Sequence, residues 1–208
     1  MLSGKEIIRQ VELGNIVIEN FDKTKVNPNS YNLHLGKEFC RYQFQKAMRA
    51  SFVDPNTKQM MHQDLPYLDP RDKQIVERLE IPDEGMVLMP NTLYLMTTEE
   101  YTETHGFVPC IDGRSSVGRL GLQVHVTAGF GDNGFKGCWT LEVSSILPVL
   151  VYPGMPICQI YYYEITGDPV LTYEGKYQNQ KSVQESKMDL DDKKEPEISD
   201  IGKMILNR

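Results

Sequence analysis

The 208-residue sequence predicts a mainly β protein, built as a compact barrel or jelly-roll-like sandwich with a short helix at its N-terminus. Short runs of alternating apolar and polar residues recur along the chain, which is the period of half-buried strands. Clusters of Gly, Pro, Asn or Asp separate these runs, and no internal repeat is present. Regularly spaced short strands with such turns are typical of closed or nearly closed β architectures.

The first twenty residues predict an amphipathic helix in the stretch SGKEIIRQVELGN. Ser3 is suited to the N-cap, and Gly14 is suited to ending the helix. The pattern then changes to strand-like alternation. The predicted strands are IVIENF, SYNLHLGKEF, GMVLMPNTLYLMTT, GLQVHVTA, CWTLEVSS, LPVLVY and ICQIYYYEI.

Two regions lack this alternation. Residues 41–80 have weak periodicity, several prolines and mixed charge, so they predict a long excursion of loops with at most one short helix. Beyond Ser186 the chain is charged and poor in apolar residues, which predicts a mobile tail over residues 188–208. Within that tail, IGKMILNR is an alternative candidate for a docked terminal helix.

Charge and hydropathy narrow the class of function. The net charge of −7 argues against a protein that coats nucleic acid through a broad basic face, so an anionic ligand needs a local cluster of cations. The N-terminus has no apolar run of signal-peptide length, and no stretch approaches the roughly 20 apolar residues that span a bilayer. We therefore expect a cytoplasmic protein with neither a membrane nor a nucleic-acid partner.

The four cysteines, Cys40, Cys110, Cys138 and Cys158, are scattered and form no C-x-x-C pair. They indicate buried, reduced thiols rather than a structural zinc site or a redox motif. The stretch HGFVPC lacks the second cysteine of the zinc-dependent nucleobase deaminase signature. A zinc-bound hydroxide is therefore not the expected nucleophile.

The stretch GRSSVGRLG, residues 113–121, is a candidate phosphate site. Small residues that begin a short helix direct backbone N–H groups and the hydroxyls of Ser115 and Ser116 toward an anion. Arg114 and Arg119 add forked donors suited to phosphate oxygens. Taken alone, the motif is equally compatible with an ordinary N-cap beside two surface ion pairs.

Two carboxylates follow this stretch. Asp132 lies in a Gly-rich hairpin, where aspartate most often serves the local turn. Glu142 lies in the strand-like WTLEVSS, although glutamate is depleted from strands. If alternation turns Glu142 to solvent it has no role, whereas facing a pocket it is a carboxylate with an adjustable pKa.

The ordered motifs GRSSVGRLG, VHVTAGF, TLE, PGMPICQI and GKYQNQ, preceded by VNPNSYNLHLG, resemble the dCTP deaminase family of the trimeric dUTPase superfamily. The resemblance spans residues 1–187. The chain departs from the family pattern at Asn32, where Asp is common, and in FGDN, residues 130–133, where the family commonly has FID followed by Pro or Ala. The connection from Glu142 to Gln159 is also slightly shorter than in many relatives.

The resemblance implies a dUTPase-like distorted β-barrel or jelly roll over residues 1–187. Its C-terminal lid is residues 172–187, and residues 188–208 are a charged tail outside the resemblance. The family forms homotrimers whose active sites lie between subunits. Its substrate is dCTP, with Mg²⁺ held by the triphosphate rather than by protein side chains, and it uses no zinc.

The same resemblance implies the site residues. Glu142 corresponds to the catalytic glutamate, and Ser115 and Arg119 help position the pyrimidine and the attacking water. Asp132 corresponds to the residue that reaches the deoxyribose. The implied substrate-binding residues are Arg114, Ser115, Ser116, Val117, Gly118, Arg119, Val126, Ala128, Asp132, Thr140, Leu141, Glu142, Gln159, Tyr173, Lys176 and Gln180.

Three functions are compatible with these residues. The first is deamination of dCTP, favoured by Glu142. The alternatives are a dUTPase that releases pyrophosphate from dUTP, and a catalytically silent nucleotide-binding regulator. The Thr-Ala-Gly-Phe run, residues 127–130, resembles the branch that continues to dUMP, whereas Gly131 and Asn133 predict extra backbone freedom that lets Asp132 drift.

Overall fold

A computed structural model of the protein describes residues 1–125, 127–167 and 171–193. The helices are α1 (Gly4–Glu12) and α2 (Ser115–Gly118), and Lys23–Lys25 and Met188–Lys193 form 3-10 helices. The strands are β1 (Ile16–Ile18), β2 (Tyr31–Tyr42), β3 (Lys46–Val53), β4 (Met60–Tyr67), β5 (Val76–Glu80), β6 (Met86–Leu88), β7 (Tyr94–Thr104), β8 (Phe107–Gly113), β9 (Leu122–Gln123), β10 (Lys136–Ser145), β11 (Val149–Val151) and β12 (Pro156–Glu164).

Helix α1 begins and ends where the sequence predicts. The Ser3 side chain accepts a hydrogen bond from the backbone N–H of Glu6, with the two atoms 3.3 Å apart, and Gly14 takes a positive φ of 78° just past the helix. Ile7 is fully buried and faces the core. The predicted helix is therefore confirmed, because the cap, the apolar face and the terminating glycine agree.

The main sheet has the strand order β8–β12–β2–β7–β10–β9, and β1 and β5 add to it by pairing with β7 and β2. Successive strands along this order pair antiparallel. The segment before β10 returns to β8, because the Ile111 N–H donates to the Gly129 carbonyl and the Gly131 N–H donates to the Pro109 carbonyl. The result is a nearly closed barrel, so the predicted mainly β fold is confirmed.

Strand β10 shows how the core orients the outward side chains. Leu141 and Val143 are fully buried, whereas Thr140 and Glu142 between them are partly exposed. Because successive strand residues point to opposite faces, the burial of the two apolar residues fixes Glu142 on the outer face. The other fully buried core side chains include Tyr31, Leu33, Leu35, Met96, Ile157 and Ile160.

Most predicted strands are present, with different bounds. The predicted strand 85–98 is two strands, β6 and β7, and the predicted strand 121–128 is reduced to β9. Strand β8, which contains Pro109, has no counterpart among the sequence predictions. It pairs with β12 along its whole length.

The chain divides into two compact units. The first comprises residues 1–41 and 78–184, and the second comprises residues 42–77 together with the residues from Glu185 onward. In the second unit β3 and β4 form an antiparallel hairpin, so the prediction of loops for this region is wrong. Within the tail, Met188–Lys193 is described, whereas residues 194–208, including the candidate terminal helix, lie outside the described residues.

The hairpin has one apolar face and one polar face. Met48 pairs with Leu65 and Phe52 with Met61 on one side, and all four side chains are exposed. The other side carries the Arg49–Asp64 ion pair and the Ser51–His62 hydrogen bond.

Within the part of the chain that the structure describes, no helix has the length and apolarity needed to cross a bilayer.

Candidate active site

Glu142 lies in the middle of β10, opposite Leu95 of β7. Its side chain is 36 % exposed, yet its Oε2 atom is buried. One carboxylate oxygen is therefore sequestered, while the remainder of the side chain is open to the outside. This is the environment of a carboxylate that can exchange protons with a bound molecule.

His125 is the residue that covers Glu142. Its Nδ1 lies 2.7 Å from Glu142 Oε2, and its side chain is only 4 % exposed. The contact is close, but its angles fall outside those of an aligned hydrogen bond. On the other side of the ring, Nε2 lies 2.6 Å from the carbonyl oxygen of Ala128. Because a carbonyl only accepts, Nε2 must carry a proton.

The GRSS stretch forms the end of β8 and the short helix α2. Arg114 occupies the N-cap of α2 without a side-chain capping bond, and its Nη1 donates to the Pro156 carbonyl, 3.4 Å away. Ser115, Ser116, Gly118 and Arg119 are exposed, whereas Val117 is buried and anchors the turn. The polar groups of this stretch are thus presented at the surface on a packed base.

Gln159, on β12, contacts the start of this stretch. Its Nε2 donates to the Gly113 carbonyl at 3.1 Å, and its Oε1 accepts from the hydroxyl of Ser30 at 2.8 Å. On the neighbouring strand, Asn32 accepts a 2.9 Å hydrogen bond from Asn27. The amide at position 32 therefore serves a local polar network beside Gln159.

The hairpin before β10 is held more firmly than its glycines suggest. A side chain at Gly131 would overlap the indole ring of Trp139, and one at Gly129 would overlap the carbonyl of Ile111. Neither glycine has a positive φ, so each is required by close packing rather than by backbone freedom. The predicted drift of Asp132 through Gly131 is therefore wrong, because packing against Trp139 fixes that position.

Asn133 is bonded on all sides. Its Oδ1 accepts from the N–H of Gly106 at 2.7 Å, and its Nδ2 donates to the Leu171 carbonyl at 3.3 Å. Its own carbonyl accepts from the N–H of Tyr173 at 2.7 Å. Asp132 beside it is exposed.

The C-terminal segment, residues 171–184, runs alongside β10. Gly137 and Gln180 form a parallel bridge, the N–H of Asn179 donates to the Lys136 carbonyl at 2.8 Å, and the N–H of Cys138 donates to the Gln180 carbonyl at 2.9 Å. Farther along, the N–H of Gln184 donates to Thr140 Oγ1 at 3.1 Å. The segment thus extends from the Asp132 hairpin to the strand residue two positions before Glu142.

The three residues of the C-terminal segment that are predicted to contact the nucleotide have different surroundings. Gln180 is buried, and its Nε2 donates to the Cys138 carbonyl at 2.5 Å. Lys176 lies 5.6 Å from the ring centroid of Tyr177. The Tyr173 ring packs on Phe135, with centroids 6.0 Å apart. Burial is the main cause that raises the pKa of the Tyr173 hydroxyl, and the charges of Tyr177 and then Asp132 raise it by smaller amounts.

The contacts sort the predicted site residues into three groups. Glu142 and Ala128 are joined through His125, Gln159 joins the Arg114 stretch, and Asp132 is grouped with the C-terminal segment. Leu141 is buried, so only its backbone is available to a ligand. Val126 lies outside the described residues. His125 was not predicted, because its contact with Glu142 comes from the pairing of distant segments, and Asn133 was predicted only as a source of backbone freedom.

All four cysteines are buried and none is in a disulfide, and burial raises the pKa of the Cys138 thiol to about 11. The predicted burial of these thiols is thus confirmed. Within residues 1–125, 127–167 and 171–193, the structure contains no cluster of three or more His, Cys, Asp or Glu side chains suited to holding a metal ion.

Comparison with known proteins identifies relatives over most of the chain. The protein is 46 % identical over 188 residues to "dCTP deaminase, dUMP-forming" of Clostridium beijerinckii, covering 90 % of this chain and 96 % of the relative. It is 46 % identical over 187 residues to the protein of the same name from Cytophaga hutchinsonii, covering 89 % and 95 %.

A solved structure supports the fold. The 2'-deoxycytidine 5'-triphosphate deaminase of Agrobacterium tumefaciens superposes with a TM-score of 0.52 at 20 % identity, over 77 % of this chain and 47 % of that one.

The family model for dCTP deaminase-like proteins matches residues 1–165. By fold, by motif and by similarity over most of its length, the chain belongs to the dCTP deaminase-like family.

Proposed function

We propose that this protein deaminates dCTP and carries the product on to dUMP, releasing ammonia and pyrophosphate. The observation that supports this best is the buried contact between Glu142 and His125. The proposal is also supported by relatives named "dCTP deaminase, dUMP-forming", which match this chain over about nine tenths of its length.

The first reaction is dCTP + H₂O → dUTP + NH₃. Water attacks C4 of cytosine while Glu142 accepts a proton from it, and the C4–N4 bond then breaks. Glu142 returns protons to the ring and to the departing amine, which leaves as ammonia. A carboxylate with one sequestered oxygen and one open side suits this exchange, because the same group must both accept and donate.

The tautomer of His125 supports a role for this residue in the same reaction. Since Nε2–H is directed to the Ala128 carbonyl, Nδ1 of a neutral ring carries no proton and can accept one. Nδ1 and Glu142 Oε2 lie 2.7 Å apart but are not aligned as a hydrogen bond, so a small rotation of either side chain is needed for a proton to pass between them. We infer that His125 assists Glu142 in transferring protons to the substrate.

The second reaction is dUTP + H₂O → dUMP + pyrophosphate. In this step Asp132 orients a water toward the α-phosphorus, and the bond from that phosphorus to the bridging oxygen breaks. Asp132 is exposed on a packed hairpin, and this geometry supports the assignment. The polar groups of Arg114, Ser115, Ser116 and Arg119 are assigned to the phosphates, because forked donors match phosphate oxygens.

Magnesium belongs to the nucleotide in this proposal. Phosphate oxygens are the hard ligands that Mg²⁺ prefers, and the ion then offsets charge on the triphosphate. We also place the reaction in the cytoplasm, where the four buried thiols are expected to stay reduced.

We further propose that the protein acts as a homotrimer with active sites between subunits. Within one chain the predicted site residues form three groups, each held by its own contacts. In a site shared between chains, groups from different subunits would act on the same nucleotide. Mixing Glu142→Gln with Arg114→Ala tests this arrangement. If the residues serve one site from different chains, mixed trimers regain ammonia release, and a lack of recovery under conditions of subunit exchange contradicts it.

One assay separates this proposal from its alternatives. With dCTP as the sole substrate and Mg²⁺ present, we expect chromatography to show ammonia, dUMP and pyrophosphate in equal amounts. From Glu142→Gln we expect each of them to form about 10²- to 10⁴-fold more slowly. Persistent dUTP contradicts the second reaction. Absence of ammonia contradicts the first and leaves a dUTPase, if dUTP is then hydrolysed, or a silent regulator, if it is only bound.

A further inference from the structure

Asn133 joins three segments that are distant in sequence. Its side chain accepts from Gly106, in the turn between β7 and β8, and donates to Leu171, at the start of the C-terminal segment. Its backbone carbonyl accepts from Tyr173. Both functional groups of the amide are therefore used, and they link the Asp132 hairpin to two other parts of the chain.

Asp132 is consequently held differently on its two sides. On the Gly131 side, the chain packs against Trp139 with no room for a side chain. On the Asn133 side, hydrogen bonds hold it, and these break far more readily than a packed core moves. The Asn133 side, whose hydrogen bonds are the more easily broken contacts, is the side connected to the C-terminal segment.

The position of Asp132 is also sensitive to that segment. The Asp132 carbonyl accepts from the N–H of Phe135 at 3.1 Å, and Phe135 packs on the Tyr173 ring. The charge of Asp132 acts on the Tyr173 hydroxyl. Movement of residues 171–173 therefore reaches the Asp132 turn through both a hydrogen-bonded and a packed contact.

We infer that Asn133 is a positioning residue that couples seating of the C-terminal segment to placement of Asp132. On the proposed function, it thereby sets the fraction of dUTP that is hydrolysed to dUMP before it leaves. Glu142 lies on β10 outside this linkage, so at saturating dCTP the coupling acts on the second reaction and largely spares the first.

Asn133→Ala removes both side-chain hydrogen bonds and tests the coupling directly. In hydrogen exchange without nucleotide, we expect peptides containing the Tyr173 and Phe135 amides to exchange about 5- to 100-fold faster together, as expected for the loss of two hydrogen bonds. With dCTP, we expect dUTP release to rise while ammonia release changes little, because a misplacement on the order of 1 Å costs about 100-fold in the affected step.

Two further variants sharpen the result. Asn15→Ala is the matched control, because it also removes a side-chain hydrogen bond of an asparagine, here the one to Gln10, and it should change neither exchange nor product ratio. Asn133→Asp retains the acceptor for Gly106 and loses the donor to Leu171. It should fold and still show faster exchange around Tyr173, with its added charge controlled by repeating the measurement at high salt.

The outcomes distinguish this inference from the proposed function. The coupling is overturned if hydrogen exchange in Asn133→Ala is unchanged. It is also overturned if exchange becomes faster at the Tyr173 amide but not at the Phe135 amide. An unchanged ratio of dUMP to dUTP in spite of faster exchange overturns the effect on product. If the wild-type protein releases no ammonia, the proposed function fails, while the exchange of the two amides still decides whether Asn133 couples them.

Discussion

Glu142 is held with one oxygen buried against His125 and the rest of its side chain accessible. Glu142→Gln preserves the shape of the side chain and removes its basicity. We expect ammonia release to fall about 10²- to 10⁴-fold, while dCTP binding measured by calorimetry is retained. Turnover close to that of the wild type would remove Glu142 from its catalytic role.

His125 is predicted to matter through its proton rather than its bulk. His125→Gln retains a donor for the Ala128 carbonyl but cannot exchange a proton with Glu142, so we expect the kcat of ammonia release to fall about 10²-fold.

His105→Gln is the matched control, because His105 forms a comparable contact with Glu103, 3.3 Å away, outside the site. An equal loss in both variants would show that His125 has only a structural role.

At the scale of the element, the C-terminal segment is more than a mobile lid. Truncation after Tyr173 removes the bonds of residues 179–184 to β10 and the buried Val183. We expect a higher KM for dCTP, a lower kcat and a lower Tm, since both the proposed closure over the substrate and the packing on β10 are lost.

Truncation after Ser186 retains these contacts and serves as the control for the shorter chain. Its activity and Tm should stay close to those of the full chain. If both truncations lose activity equally, residues 187–208 contribute to function directly.

The sequence predicts an element well where several local signals coincide. Helix α1 has a cap, an apolar face and a terminating glycine, and β10 has strong alternation around Leu141 and Val143. Strand β8 was missed because Pro109 interrupts its pattern, and its stability comes from pairing with β12. The β3–β4 hairpin was missed because Gln63 and Pro66 break the alternation along β4.

At the scale of the whole molecule, residues 42–77 belong to the second compact unit, whereas the candidate site residues belong to the first. The N–H of Gln43 donates to the Ile75 carbonyl at 2.9 Å, so the two ends of the excursion are adjacent. Replacing residues 44–74 by a short Gly-Ser linker should leave ammonia release and the Tm of the remaining chain nearly unchanged, because loop length alone costs little. Loss of activity in a folded variant would assign the hairpin a role in the site.

The family of the chain was more predictable than the contacts of the candidate site residues. The motifs around Arg114, Asp132 and Glu142 identify the family, because such residue types at fixed spacing are specific. The partners of these residues were not predictable, since they come from strand pairing across the barrel. His125 meets Glu142 only because β9 lies beside β10.

The parallel bridge between Gly137 and Gln180 has a consequence for the protein in the cell. A strand with unpaired N–H and carbonyl groups along its edge is a template for joining another chain. In this protein the C-terminal segment occupies that side of β10 and uses the donors and acceptors of Lys136 and Cys138. Proteolytic loss of the segment would therefore expose a sheet edge, and the cleaved enzyme would be prone to aggregate.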